Sequence, residues 1–62
     1  MTAEPITIDD DEGPGWVHAE LAELADGRPR VRLRAEFEPA LTPAQARRLA
    51  RHLGELATAA ER

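Results

Sequence analysis

The sequence predicts an α+β chain in which a β-hairpin precedes a single C-terminal helix. Three observations carry this. Residues 30–37 alternate strictly between charged and apolar side chains, residues 25–27 read Ala-Asp-Gly, and an apolar stripe at helical spacing starts just after Thr42-Pro43. Sixty-two residues allow one domain at most.

The N-terminal segment reads differently from the rest. Asp9-Asp10-Asp11-Glu12 is a like-charge block followed by Gly13-Pro14-Gly15, a strong turn signal. Residues 1–15 are therefore expected to form a flexible acidic tail, and residues 16–62 a ββα domain. Ile6-Thr7-Ile8 alternates and would add a short edge strand only if something pairs with it.

Residues 16–24 fit either strand or helix by composition, because Val17, Ala19 and Leu21 alternate while Val17, Leu21 and Leu24 also have helical spacing. The turn decides for a strand. Ala25-Asp26-Gly27 suits a three-residue hairpin loop with Gly27 as the left-handed bulge residue. That loop pairs Leu24 with Arg28. Counting back, Leu21 faces Val31, Ala19 faces Leu33 and Val17 faces Ala35, while Glu20 faces Arg32 and His18 faces Arg34 on the other side. A two-residue loop would set Leu21 against Arg32. The hairpin is therefore expected over about 16–24 and 30–37, with Val31, Leu33, Ala35 and Phe37 facing the core.

The helix is expected over about 43–60. Thr42 is placed as N-cap, Pro43 as the first helical residue, and Gln45 completes a Thr-x-x-Gln capping box. Ala46, Leu49, Leu53, Leu56 and Ala60 form the apolar stripe, with Arg47, Arg48, Arg51 and Glu55 opposite. Arg51 and Glu55 are spaced for an ion pair. Gly54 interrupts the helix formers, but the stripe continues through it, so one continuous helix is expected. The dimer and core residues are then Leu33, Phe37, Leu49, Leu53 and Leu56.

A hairpin and one helix bury little, and a two-stranded ribbon leaves two open edges. A homodimer is the expected remedy, either by pairing of hairpins or by packing of helices along the Leu stripe.

Charge is segregated along the chain. Residues 1–27 hold eight acids and no Arg or Lys; residues 28–62 hold all eight cations, every one an Arg, against four acids. Arg30, Arg32 and Arg34 project from one strand face, and Arg47, Arg48 and Arg51 from the back of the helix. Trp16 falls on the strand face opposite the core, beside His18. Aromatic and Arg side chains are enriched at the energetic centres of protein interfaces. The leading expectation is thus a non-enzymatic protein–protein interaction or regulatory module, contacting its partner through Trp16, His18, Arg30, Arg32 and Arg34. The alternative is a nucleic-acid-binding regulator using Arg30, Arg32, Arg34, Arg47, Arg48 and Arg51, with the acidic tail as competitor.

Catalytic and metal chemistry find little support. Cys is absent, which removes disulfides and thiolate ligands. His18-Ala19-Glu20 matches the H-x-E fragment of zinc deaminases without the cysteines that site needs. A calcium loop starting at Asp9 fails at its sixth position, where Pro14 stands in place of Gly. No enzyme activity, metal or cofactor is expected. No apolar run is long enough for a membrane span and the start lacks a basic leader, so a soluble cytoplasmic protein is expected.

The stretch Leu41-Thr42-Pro43-Ala44-Gln45-Ala46-Arg47-Arg48-Leu49 resembles the helix opening Leu-Thr-Pro-x-x-Ala-Arg-x-Leu of small actinobacterial and phage proteins with a ββα arrangement. The resemblance covers residues 16–60 and implies a fold, not an activity. Arg30–Phe37 followed by a helix is also similar to ribbon-helix-helix repressors, in which such a strand would pair with its dimer mate and present Arg30, Arg32 and Arg34 to DNA. This chain departs from that family after Gly54, where too few residues remain for the second helix.

Overall fold

A computed structural model describes residues 3–62. Three strands, β1 (Ile6–Asp9), β2 (Trp16–Glu23) and β3 (Pro29–Glu36), form an antiparallel sheet in the order β1-β2-β3, and one helix, α1 (Pro43–Ala60), follows. The hairpin has the expected register: Leu21 pairs with Val31, Ala19 with Leu33 and Val17 with Ala35. The turn has the expected chemistry as well. Gly27 sits at φ 82°, its N–H donates to the Leu24 carbonyl at 2.9 Å, and Asp26 Oδ1 accepts the Arg28 N–H at 2.9 Å.

The flexible-tail expectation for residues 1–15 needs correction. Ile6–Asp9 is a strand, paired so that Ile6 lies opposite Ala19 and Ile8 opposite Val17. Ile6 and Ile8 are buried with Val17, Ala19 and Leu56, so the acidic N-terminal region supplies part of the core. Met1 and Thr2, the first residues of the expected tail, lie outside the described residues. The physical reason is β2, whose second edge is otherwise open and whose apolar face matches the Ile-x-Ile alternation. The apolar surface expected from a second copy is thus supplied in part by the chain itself.

The acidic block is held by three kinds of contact. Asp10 N–H donates to the Gly15 carbonyl at 2.8 Å, closing the turn between β1 and β2. Asp10 Oδ1 accepts the Glu12 N–H at 2.9 Å and Oδ2 accepts the Ala40 N–H at 3.0 Å. Gln45 Nε2 donates to the Asp9 carbonyl and to Asp11 Oδ1, each at 3.1 Å. Gln45 also completes the capping box, its Oε1 accepting from Thr42 N–H while its own N–H donates to Thr42 Oγ1. One side chain therefore caps the helix and ties it to the end of β1.

The helix runs unbroken through Gly54 and packs on the apolar face of the sheet. Leu56 is fully buried, and Leu49 and Leu53 are half-buried against the core. Arg51 does not meet Glu55; His52 does, with Nδ1 3.8 Å from Oε2. His52 Nε2 also donates to the Glu4 carbonyl, which fastens the start of β1 to the helix.

Three residues expected to face the core, Leu33, Ala35 and Phe37, are exposed instead. Leu33 is 55 % exposed and Phe37 70 % exposed. The buried cluster is centred on β1 and β2, leaving the outer side of β3 uncovered. Phe37 and Glu38 also leave the strand with φ 60° and 46°, which turns the chain away before Phe37 reaches the core.

Candidate interaction face of the sheet

Strand alternation sorts the charged residues onto the sheet face away from α1. Residues paired across the three strands form rows on that face. One row is Thr7–His18–Arg34, the next is Asp9–Trp16–Glu36, and Glu20–Arg32 and Ala22–Arg30 complete it. All five residues expected to contact a partner, Trp16, His18, Arg30, Arg32 and Arg34, lie on this face, with Trp16 and Arg30 toward opposite ends of the hairpin.

Glu20 organises the centre of this face. Its Oε1 lies 3.7 Å from Arg32 Nη1 and 3.6 Å from Arg34 Nη2, and its Oε2 lies 3.4 Å from His18 Nε2. A carboxylate only accepts, so His18 Nε2–H is the donor to Glu20, and in the neutral imidazole Nδ1 accepts from Thr7 Oγ1 at 2.7 Å. The chain Thr7→His18→Glu20 links β1 to β2 and holds the carboxylate between two guanidinium groups. The Arg pairs are exposed, and each alone contributes little stability. Their effect is to hold the Arg side chains over the sheet. Arg30 stands apart, with Nη1 donating to the Pro29 carbonyl at 2.8 Å.

Trp16 is half-buried at the start of β2. With Thr7, Asp9, His18 and Arg34 it lines a shallow depression of ≈ 340 Å³. Thr7, Asp9 and Glu36 belong to the face as much as the expected residues do. The Ile6-Thr7-Ile8 alternation was the signal for the β1 members, and it required only a pairing partner for β1.

Arg47, Arg48 and Arg51 are exposed on α1, on the side of the molecule away from Arg30, Arg32 and Arg34. The two Arg sets therefore form separate surfaces. Among the described residues no group of three His, Asp or Glu side chains is placed to hold a metal ion, and no helix is long and apolar enough to cross a membrane. No protein-family model, curated protein or solved structure matches this chain.

Proposed function

We propose that the protein is a non-catalytic interaction module that binds a protein partner across the Arg-bearing sheet face. The observation that carries the reading is a half-buried Trp16 on the same uncovered face as Arg30, Arg32 and Arg34, with Glu20 holding two of those Arg side chains. Trp and Arg are the residue types that dominate binding energy when a partner excludes water around them. Arg side chains also favour carboxylates, which they engage through a planar fork of donors.

The nucleic-acid alternative is less well supported by the geometry. Asp9, Glu20 and Glu36 lie among the Arg residues of the sheet face, where a phosphate backbone would meet carboxylates. The helix Arg residues face another direction and do not extend the same surface.

Affinity capture from the protein's own cells tests the reading. The wild type should retain a partner that the Arg30→Ala/Arg32→Ala/Arg34→Ala variant loses while its circular dichroism spectrum is unchanged. Retention of duplex DNA or RNA, with affinity falling at a log–log salt slope near about −0.9 per phosphate, would replace this reading with the nucleic-acid one.

A further inference from the structure

The partner-binding reading leaves open how a partner would engage the face, and the edge of β3 bears on that. The Leu24 N–H donates to the Arg28 carbonyl at 3.1 Å, which sets the alternation of the ladder. Arg30, Arg32, Arg34 and Glu36 turn their backbone groups toward β2, and Val31, Leu33 and Ala35 turn theirs outward. β3 is the end strand of the sheet, so no described strand meets those outward groups. Pro29 sits at an outward position, where its missing N–H costs no bond to β2.

The side chains along this edge have two characters. Arg30, Arg32 and Arg34 line one side. Leu33 and Ala35 line the other, both exposed, and the exposed Phe37 follows the end of the strand. Phe37 ends the edge in the left-handed region at φ 60°, an uncommon conformation for a bulky residue. Backbone strain of this kind recurs where a side chain is held for a ligand.

A second copy fits this edge poorly. The outward groups lie at odd positions, so symmetric antiparallel pairing must join odd residues to odd residues. In the longest registers Arg32 then faces Arg34 or Arg32 of the other copy. Every such register that pairs five or more strand residues sets Arg opposite Arg. Like charges directly opposite destabilise a sheet.

We infer that the edge of β3 accepts an extended segment of a partner protein in which acidic and apolar residues alternate, added antiparallel as a fourth strand. Carboxylates of that segment stand beside Arg30, Arg32 and Arg34. Its apolar residues stand beside Val31, Leu33 and Ala35 and cover Leu33 and Phe37. Main-chain hydrogen bonds supply affinity and the alternate side chains supply specificity, as in other cases of strand addition. The inference rests on the partner-binding reading above and adds the edge and the chemistry of the segment.

The test uses the full chain and synthetic peptides, read by calorimetry and by amide hydrogen exchange. A peptide repeating Glu-Val should bind and slow exchange at Val31, Leu33 and Ala35. A repeating Lys-Val peptide should not bind. In the bound register the Val amides of the peptide face β3. N-methylation of those amides should therefore weaken binding about a hundredfold, the loss of several hydrogen bonds, whereas N-methylation of the Glu amides should leave it unchanged. Equal binding by both methylated isomers and by a peptide of the same composition with Glu and Val in separate blocks would overturn the edge inference. If the Arg triple variant abolished that equal binding, the sheet-face reading would still stand. Absence of binding by any acidic peptide would overturn the edge inference, while cellular capture would separately judge the sheet face. Concentration-dependent self-association that protects the same three amides would assign the edge to a second copy and overturn it too.

Discussion

Asp10 shows how one residue of a charged run can differ from its neighbours. Its carboxylate accepts two backbone N–H groups, from Ala40 before the helix and from Glu12 in its own turn. These bonds, that from Ala40 first, hold its pKa below the ordinary 3.8. A carboxyl group with a lowered folded-state pKa stabilises the fold above its unfolded value. That contribution is lost as pH falls through 3.8 and on through the lower folded value. Thermal unfolding of wild type should therefore weaken over this acid range more than that of Asp10→Ala, which lacks the group. At neutral pH Asp10→Ala should already melt lower. Gly15 makes a second prediction at this scale. A Cβ there would meet the Pro39 Cα at 3.0 Å and the Glu36 carbonyl at 3.1 Å, both backbone. Gly15→Ala should destabilise by about 1–3 kcal/mol in chemical denaturation, because neither neighbour can rotate away.

Each element depends on a different mixture of local and distant causes. Helix α1 is largely local: the Thr42–Gln45 capping box, Pro43 in the first turn and the apolar stripe are all readable within its own residues. Gly54 is its weak point, and a Cβ there would meet nothing within 4 Å. Gly54→Ala should raise stability by about 1 kcal/mol, measured by denaturant titration. The hairpin is also legible, because its loop and alternation agree on one register only. Strand β1 is the opposite case. Ile6-Thr7-Ile8 is too short to specify a strand alone, and the four-acid run beside it reads as a solvated tail. Only the open edge and apolar face of β2 give it a place. Removing residues 1–9 should therefore abolish cooperative unfolding, since Ile6 and Ile8 belong to the buried cluster; an unattached tail would leave the melting curve unchanged.

At the scale of the whole molecule, one helix on one sheet face leaves the other face and the β3 edge uncovered among the described residues. Leu56 is the helix residue on which that layering turns. Its full burial against the strands makes Leu56→Ala expected to cost about 2–5 kcal/mol, enough to unfold much of so small a domain at physiological temperature by circular dichroism. The charge segregation along the chain takes on a spatial meaning here. Asp9, Asp10 and Asp11 join the turn after β1 to the start of α1, Glu20 sits between Arg32 and Arg34, and the Arg residues of strand and helix face apart. The face proposed for partner binding was legible as far as Trp16, His18 and the three strand Arg residues, because alternation alone assigns them to one side. Its Thr7 and Asp9 members were not, since they depend on β1. Leu33 and Phe37 were misplaced for a related reason: alternation reports which side a residue faces but not how far the helix reaches across that side. The sequence by itself determined the hairpin register, the helix and its cap, because these follow from steric and hydrogen-bonding rules acting over a few residues. Only the tertiary structure decided that the N-terminal segment is a strand and that β3 keeps an uncovered edge, because both depend on surfaces made by residues distant in the chain.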